Sequence, residues 1–148
     1  MNKESKYAQF YSELEALISE DDAVISSLSN FCALHEKHFK QHWVGFYLLH
    51  ENQLILGPFQ GPVACTRIRF SQGVCGASYT QMKTIIVPDV HKYTGHIACS
   101  GLTNSEIVVP LIKDGKCWAL LDVDSLEFDN FDKMDQKYLE EALTLLNY

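Results

Sequence analysis

The chain has 148 residues, 47% of them hydrophobic, and its 19 Asp and Glu outnumber its 12 Lys and Arg for a net charge of −7. That length fits one domain spanning residues 1–148, with a core large enough to need no disulfide staples, and the apolar share excludes wholesale disorder. The acidic balance argues against nucleic acid, no apolar run is long enough to span a bilayer, and the N-terminus lacks a signal-peptide core, so a cytoplasmic protein is expected.

Two helices are expected in the first 40 residues. Tyr7, Phe10, Tyr11, Leu14, Leu17 and Ile18 form one helical stripe, and Val24, Ile25, Leu28, Phe31, Cys32 and His35 form the next, with Asp21 or Asp22 as its cap. Cys32 falls within an apolar stripe and reads as a core thiol. The segment His42–His50 is apolar at alternating positions of both faces, as a central strand requires. Gln53–Leu56 reads as a short second strand ended by Gly57-Pro58, and Gly57 to Gly61 as turn. A short helix is expected over Val74–Met82 and a strand over Thr84–Val87. Residues 88–104 show no period, and a structureless loop that long is usually functional or disordered. Glu106–Ile112 and Lys116–Asp124 read as a hairpin around Asp114-Gly115. Asp132 caps a last helix with Met134, Tyr138, Ala142, Leu145 and Leu146 inward. The pattern is α+β, with a largely antiparallel sheet.

Five cysteines in a chain that needs no staples point to buried thiols, metal ligands or redox chemistry. Cys65, Cys75 and Cys99 sit in or beside loops. Cys75 stands at a helix start, where the helix dipole lowers a thiol pKa. A zinc site from Cys65, Cys75, His96 and Cys99 is a further reading, though the chain has no C-x-x-C. Asp122 and Asp124 are two apart on an otherwise apolar strand and therefore share a face. They mark either a strand end entering solvent or a pocket for a cationic group. A two-residue Asp114-Gly115 loop pairs Glu106 with Val123, on the opposite face. A three-residue Lys113-Asp114-Gly115 loop sets Glu106 against Asp122, and that register is the one expected, although Pro110 also invites a bulge. Trp43 and Tyr47 share a strand face across Gly45, as core or as an aromatic wall for a thioether or methyl group. Together these features suggest a small pocket for a free amino acid containing oxidised sulfur.

The strings LGPFQGPVAC (56–65), GVCG (73–76), DVHKYTGHIAC (89–99), NSEIVVPL (104–111) and LDVDS (121–125) resemble the free methionine-(R)-sulfoxide reductases, which are stand-alone GAF-type domains. The resemblance runs from about Trp43 to the last helix, and the two leading helices fit it. It implies a GAF fold, with the N-terminal and C-terminal helices packed on a central sheet. It implies that Cys99 is the nucleophile, that Cys65 resolves it as a disulfide, and that Cys75 helps resolve or pass that disulfide on. Glu106, Asp122 and Asp124 would bind the substrate and help protonate its oxygen, and Trp43 and Tyr47 would face its methyl end. Cys32 and Cys117 match no motif and stay structural. The implied cycle uses thioredoxin or a similar dithiol, needs no metal or organic cofactor, and belongs to a homodimer. The alternative is a non-catalytic GAF module sensing a small ligand, a metal or redox state.

Overall fold

A computed structural model describes residues 1–95 and 101–146. The elements run α1 (Lys3–Leu17), α2 (Val24–Phe39), β1 (Trp43–His50), β2 (Gln53–Gln60), β3 (Arg67–Ile68), α3 (Gly73–Gln81), β4 (Ile85–Val87), a 3-10 turn (Val90–Lys92), β5 (Ser105–Lys113), β6 (Lys116–Ser125) and α4 (Lys133–Leu143). The strands form one six-stranded sheet in the order β3-β2-β1-β6-β5-β4. Every neighbouring pair is antiparallel. The α+β expectation holds, and the sheet is more uniformly antiparallel than the sequence suggested.

Strand alternation divides the core in two. Val44 and Phe46 of β1, Leu121 and Val123 of β6 and Ile107 and Val109 of β5 pack under α1, α2 and α4 with Phe10, Leu14, Leu28, Phe31 and Leu139. Trp43, Tyr47, Leu120 and Val108 point the other way and pack with Val74, Cys75, Ile68 and Val90 under α3 and its flanking segments. β1 lies between β2 and β6 and is buried on both faces, which explains its continuous apolar run. Complete burial of side chains such as Phe10, Leu14 and Phe31 contributes about 1.5–3 kcal/mol each.

Local chemistry explains where the sequence expectations shift. Asp21 and Asp22 do not cap α2. Both bond back to Ser19 in a turn, and the cap position falls to Ala23, which offers no side-chain bond. Leu17 and Ile25 lie at the solvent edge of their stripes. Asp132 does cap α4, in a reciprocal capping box with Asp135. Leu139 and Leu143 face inward on that helix, and Met134 is exposed. β2 does not stop at Leu56. It continues through Gly57-Pro58 to Gln60, and a register shift opposite Phe46 absorbs the proline as a bulge.

The hairpin register also departs from expectation. Asp114 (φ 52°) and Gly115 (φ 74°) both take positive φ, as a two-residue turn of matching twist requires, and Lys113 pairs with Lys116. A bulge then places Trp118 as an extra residue beside Leu111 and Ile112. The pairing beyond it slips by one, and Glu106 comes to oppose Asp124, with neither Val123 nor Asp122 as its partner. The three carboxylates still share one face, because two-residue turn and bulge together restore the parity that the three-residue loop would have given.

Asp135 joins the two ends of the chain. It is 4% exposed. Its carboxylate accepts from Tyr7 Oη (2.7 Å), Lys3 Nζ (2.6 Å) and the Asp132 amide (2.8 Å), tying α1 to α4. Asp135→Ala should therefore cost about 2–4 kcal/mol in urea denaturation, since it strands a buried hydroxyl and removes the helix box, while Tyr7→Phe should cost about 1 kcal/mol. A smaller loss for Asp135→Ala than for Tyr7→Phe would contradict this clamp.

Candidate functional site

On the α3 side of the sheet, a cavity lies between β1, β5 and β6 below and residues 63–75 above. Trp43, Tyr47, Glu106, Asp122, Asp124 and Cys75 line it, together with Val63, Ala64, Ile68, Gln72, Gly73, Val74 and Thr103. Six of the sequence-selected residues therefore converge on one place. The pairing Gly45–Asp122, Trp43–Asp124 and Glu106–Asp124 puts them on adjoining rungs of three neighbouring strands.

The aromatic wall is tightly held. The Trp43 ring stacks on Phe59 (5.3 Å between centroids, 16° apart) and on Tyr47 (6.0 Å, 25°). Gly45 makes this possible, since a Cβ there would come within 2.4 Å of the Trp43 ring. Trp43 Nε1 donates to the Pro62 carbonyl (3.1 Å), and Tyr47 Oη donates to the Cys65 carbonyl (2.9 Å). The wall thus anchors the segment that carries Cys65. Phe59, Thr103 and Gln72 escaped the sequence reading. Phe59 looked like turn material, and nothing in the periodicity set the other two apart.

The carboxylates are crowded in a dry place. Glu106 is 7% and Asp122 6% exposed. Burial first, then Asp124 and Glu106, pushes the Asp122 carboxyl well above the usual carboxylate range. Burial and Glu106 raise Asp124 in the same direction. Glu106 hydrogen-bonds with both. A bond between two carboxyl groups needs a proton, so the cluster retains protons that isolated carboxylates would lose. Among the described residues, Asp122 Oδ1 and Asp124 Oδ1 are enclosed without a hydrogen-bond partner. Such oxygens call for a donor or a cation from a ligand. The solvent-facing alternative for this strand end is excluded.

The cysteines separate by place. Cys65 is disulfide-bonded. Cys75 is a free, buried thiol in the first turn of α3. The helix-start argument expected its pKa to fall. Instead burial, followed by Glu106 and Asp124, holds the thiol well above its ordinary value. Cys32 lies in the other core, where burial pushes it up to about 12, and its Sγ donates to the Pro58 carbonyl. Cys117 is buried and donates to the Ala119 carbonyl. Both are core thiols, as the sequence suggested. Cys99 and His96 lie outside the described residues, and with them half of the zinc quartet considered above. His91 turns away from the cavity, with its Nε2 at 2.8 Å from Asn104 Oδ1.

A family model described as the GAF domain matches residues 22–147. The chain is 50% identical to GAF domain-containing protein A of Dictyostelium discoideum, covering 99% of this chain and 93% of that protein. It is 44% identical to the free methionine-R-sulfoxide reductase of Saccharomyces cerevisiae, covering 99% and 87%. Its fold superposes with a TM-score of 0.96 on the free methionine-R-sulfoxide reductase of Neisseria meningitidis solved with its substrate, at 41% identity over 99% of this chain and 89% of that one.

The raised carboxyls make a prediction about stability. A carboxyl whose pKa is raised by folding costs nothing while both states are protonated, and it weakens the fold as pH rises past about 4, where the unfolded chain ionises freely. Asp122→Asn should therefore be more stable than wild type by about 1–3 kcal/mol at pH 8, with the gap closing towards pH 3. Urea denaturation at the two pH values reads this. A variant less stable than wild type at pH 8 would show that the cluster is not under charge strain.

Proposed function

The chain belongs to the GAF domain family and, within it, to the free methionine-R-sulfoxide reductases, and from that premise we propose how its pocket reduces the R epimer of free methionine sulfoxide. The observation that carries the proposal is the pair of enclosed carboxylate oxygens on Asp122 and Asp124, unpartnered among the described residues, beside an aromatic wall. The substrate's α-ammonium supplies the missing donors, and its arrival stabilises the ionised form of a carboxyl that resists ionising alone. Its sulfur and methyl group pack on Trp43 and Tyr47. A methionine inside a peptide has no ammonium to offer, so the same contacts select the free amino acid.

Chemistry begins at Cys99, whose thiolate attacks the sulfoxide sulfur. The sulfoxide oxygen takes up a proton from the acid cluster as it leaves sulfur, with Glu106 as the donor and its hydrogen-bonded neighbours Asp122 and Asp124 as the proton reserve. Methionine departs, and Cys99 is left as a sulfenic acid carrying the oxygen. The Cys65 thiol condenses with it, forming a disulfide and releasing water. Thioredoxin or a similar dithiol then takes over the disulfide and restores both thiols. The resolving role goes to Cys65 and not to Cys75. This is supported by the disulfide at Cys65 and by the free, buried thiol of Cys75 with its raised pKa, a poor nucleophile beside carboxylates. The cycle runs in the cytoplasm, on a domain spanning residues 1–148 that works as a homodimer. The apolar edges left by Leu17 and Ile25 on the first two helices support that assembly.

Oxidation of NADPH through thioredoxin reductase and thioredoxin, with each epimer of free methionine sulfoxide, tests the assignment. Turnover is expected with the R epimer and not the S epimer, and Cys99→Ser should abolish it. Glu106→Gln should lower kcat by about 10²–10⁴-fold, the range for loss of a general acid. Cys65→Ser should release one methionine per chain in a single turnover and then stop. Undiminished steady-state turnover in Cys65→Ser would move the resolving role to Cys75.

A further inference from the structure

We propose that Cys75, Glu106 and Asp122 form a binding site for one thiophilic divalent cation, zinc by the nature of its ligands, on the floor of the pocket. Their ligand atoms lie within 4.8 Å of one another. A tetrahedral zinc ion with sulfur at about 2.3 Å and oxygen at about 2.0–2.2 Å sets neighbouring ligands about 3.5 Å apart, so about 1 Å of side-chain adjustment closes the three onto the ion. The residues come from α3, β5 and β6, elements packed together in one core, and they are 5%, 7% and 6% exposed. Proximity alone would be weak. A second observation points to a ligand: Asp122 is more than nine-tenths buried and lines the cavity, yet its Oδ1 has no partner among the described residues. A cation entering this water-poor site displaces the protons of the thiol and the carboxyls to solvent and takes three anionic ligands in their place.

The donor set decides the metal. Calcium and magnesium take all-oxygen shells, whereas one thiolate with two carboxylates suits a borderline-soft ion. Three protein ligands leave one coordination position open. Among the described residues, Cys65 is held in a disulfide and Cys75 is the free thiol that lines the cavity, so Cys75 supplies the sulfur in the oxidised protein. Zinc bound here would occupy carboxylates that the reductase reading assigns to the substrate and would block turnover. The site itself goes beyond that reading, because it needs only the geometry of these three side chains.

The test is a titration of the oxidised protein, disulfide intact and substrate absent, with Co²⁺ as optical probe and Zn²⁺ as displacing ion. One Co²⁺ per chain with a thiolate-to-cobalt charge-transfer band is expected, and Zn²⁺ should abolish the band. Cys117→Ser should keep the band and Cys75→Ser should lose it. Asp122→Asn is close to isosteric and protects the test against misfolding of the cysteine variant. It should weaken binding by about tenfold or more, since even partners behind a ligand are worth 10–100-fold. The absence of the band in wild type, or an unchanged band in Cys75→Ser or Asp122→Asn, would overturn the proposal. No substrate enters this titration, so its outcome and that of the turnover assay are read independently.

Discussion

Three carboxyl groups on one buried sheet face are the constraint around which this molecule is arranged. Glu106, Asp122 and Asp124 are placed by pairing between β5 and β6, and burial with mutual crowding holds the Asp122 and Asp124 carboxyls well above the usual carboxylate range. For these two aspartates burial is the larger cause, and crowding adds to it. The fold meets this in two ways. It holds protons between the carboxyls, and it leaves two oxygens without partners among the described residues. The first makes a proton source and the second a ligand site. A fully satisfied network would be more stable and chemically inert, so the strain located here is of the kind that functional sites keep.

How this face was legible from sequence, and how it was not, follows from the range of the interactions involved. Asp122 and Asp124 share a face because strand alternation has period 2, a local rule needing no partner strand. The same rule placed Trp43 with Tyr47 and read His42–His50 as central. Glu106 depends on a neighbour's register, and there local reading erred. The positive-φ Asp114-Gly115 turn was available in the sequence, but the Trp118 bulge was not, because a bulge answers the twist and packing of the assembled sheet. The right face was reached through the wrong register because parity counts residues modulo two. The extension of β2 through Gly57-Pro58 was lost for a similar reason. Proline reads as a terminator until a bulge removes the need for its missing amide. Thr103 and Gln72 enter the cavity through tertiary packing that carries no periodic signal.

The aromatic wall ties the sheet to the redox side of the pocket. Trp43 and Tyr47 leave β1 on the carboxylate face, and each reaches over to bond the backbone of the segment ending at Cys65. Gly45 is what lets Trp43 lie flat, since any side chain there would displace the ring. The wall therefore does two things with one set of side chains. It offers the apolar surface that a thioether packs against, and it fixes the height of the Cys65 backbone above the sheet. Changes at the wall and changes at the Cys65 segment should accordingly be coupled, because they share hydrogen bonds.

Cys75 shows how magnitudes settle a conflict between two sound rules. A thiol at a helix N-terminus is favoured as thiolate by about 0.3–1 kcal/mol for an exposed site. Full burial shifts a titratable group by up to about 3–5 pKa units, each worth about 1.4 kcal/mol, and adjacent carboxylates act in the same direction. The second effect is several times the first, so the thiol stays protonated despite its position in α3. The dipole argument looks only along the chain, where the helix start is visible. The carboxylates that oppose it arrive from β5 and β6, far away in sequence. A thiol in that setting gains little from helix geometry and much from a cation that neutralises its surroundings, and this is why its chemistry is argued from the pocket's charge and not from the helix that carries it.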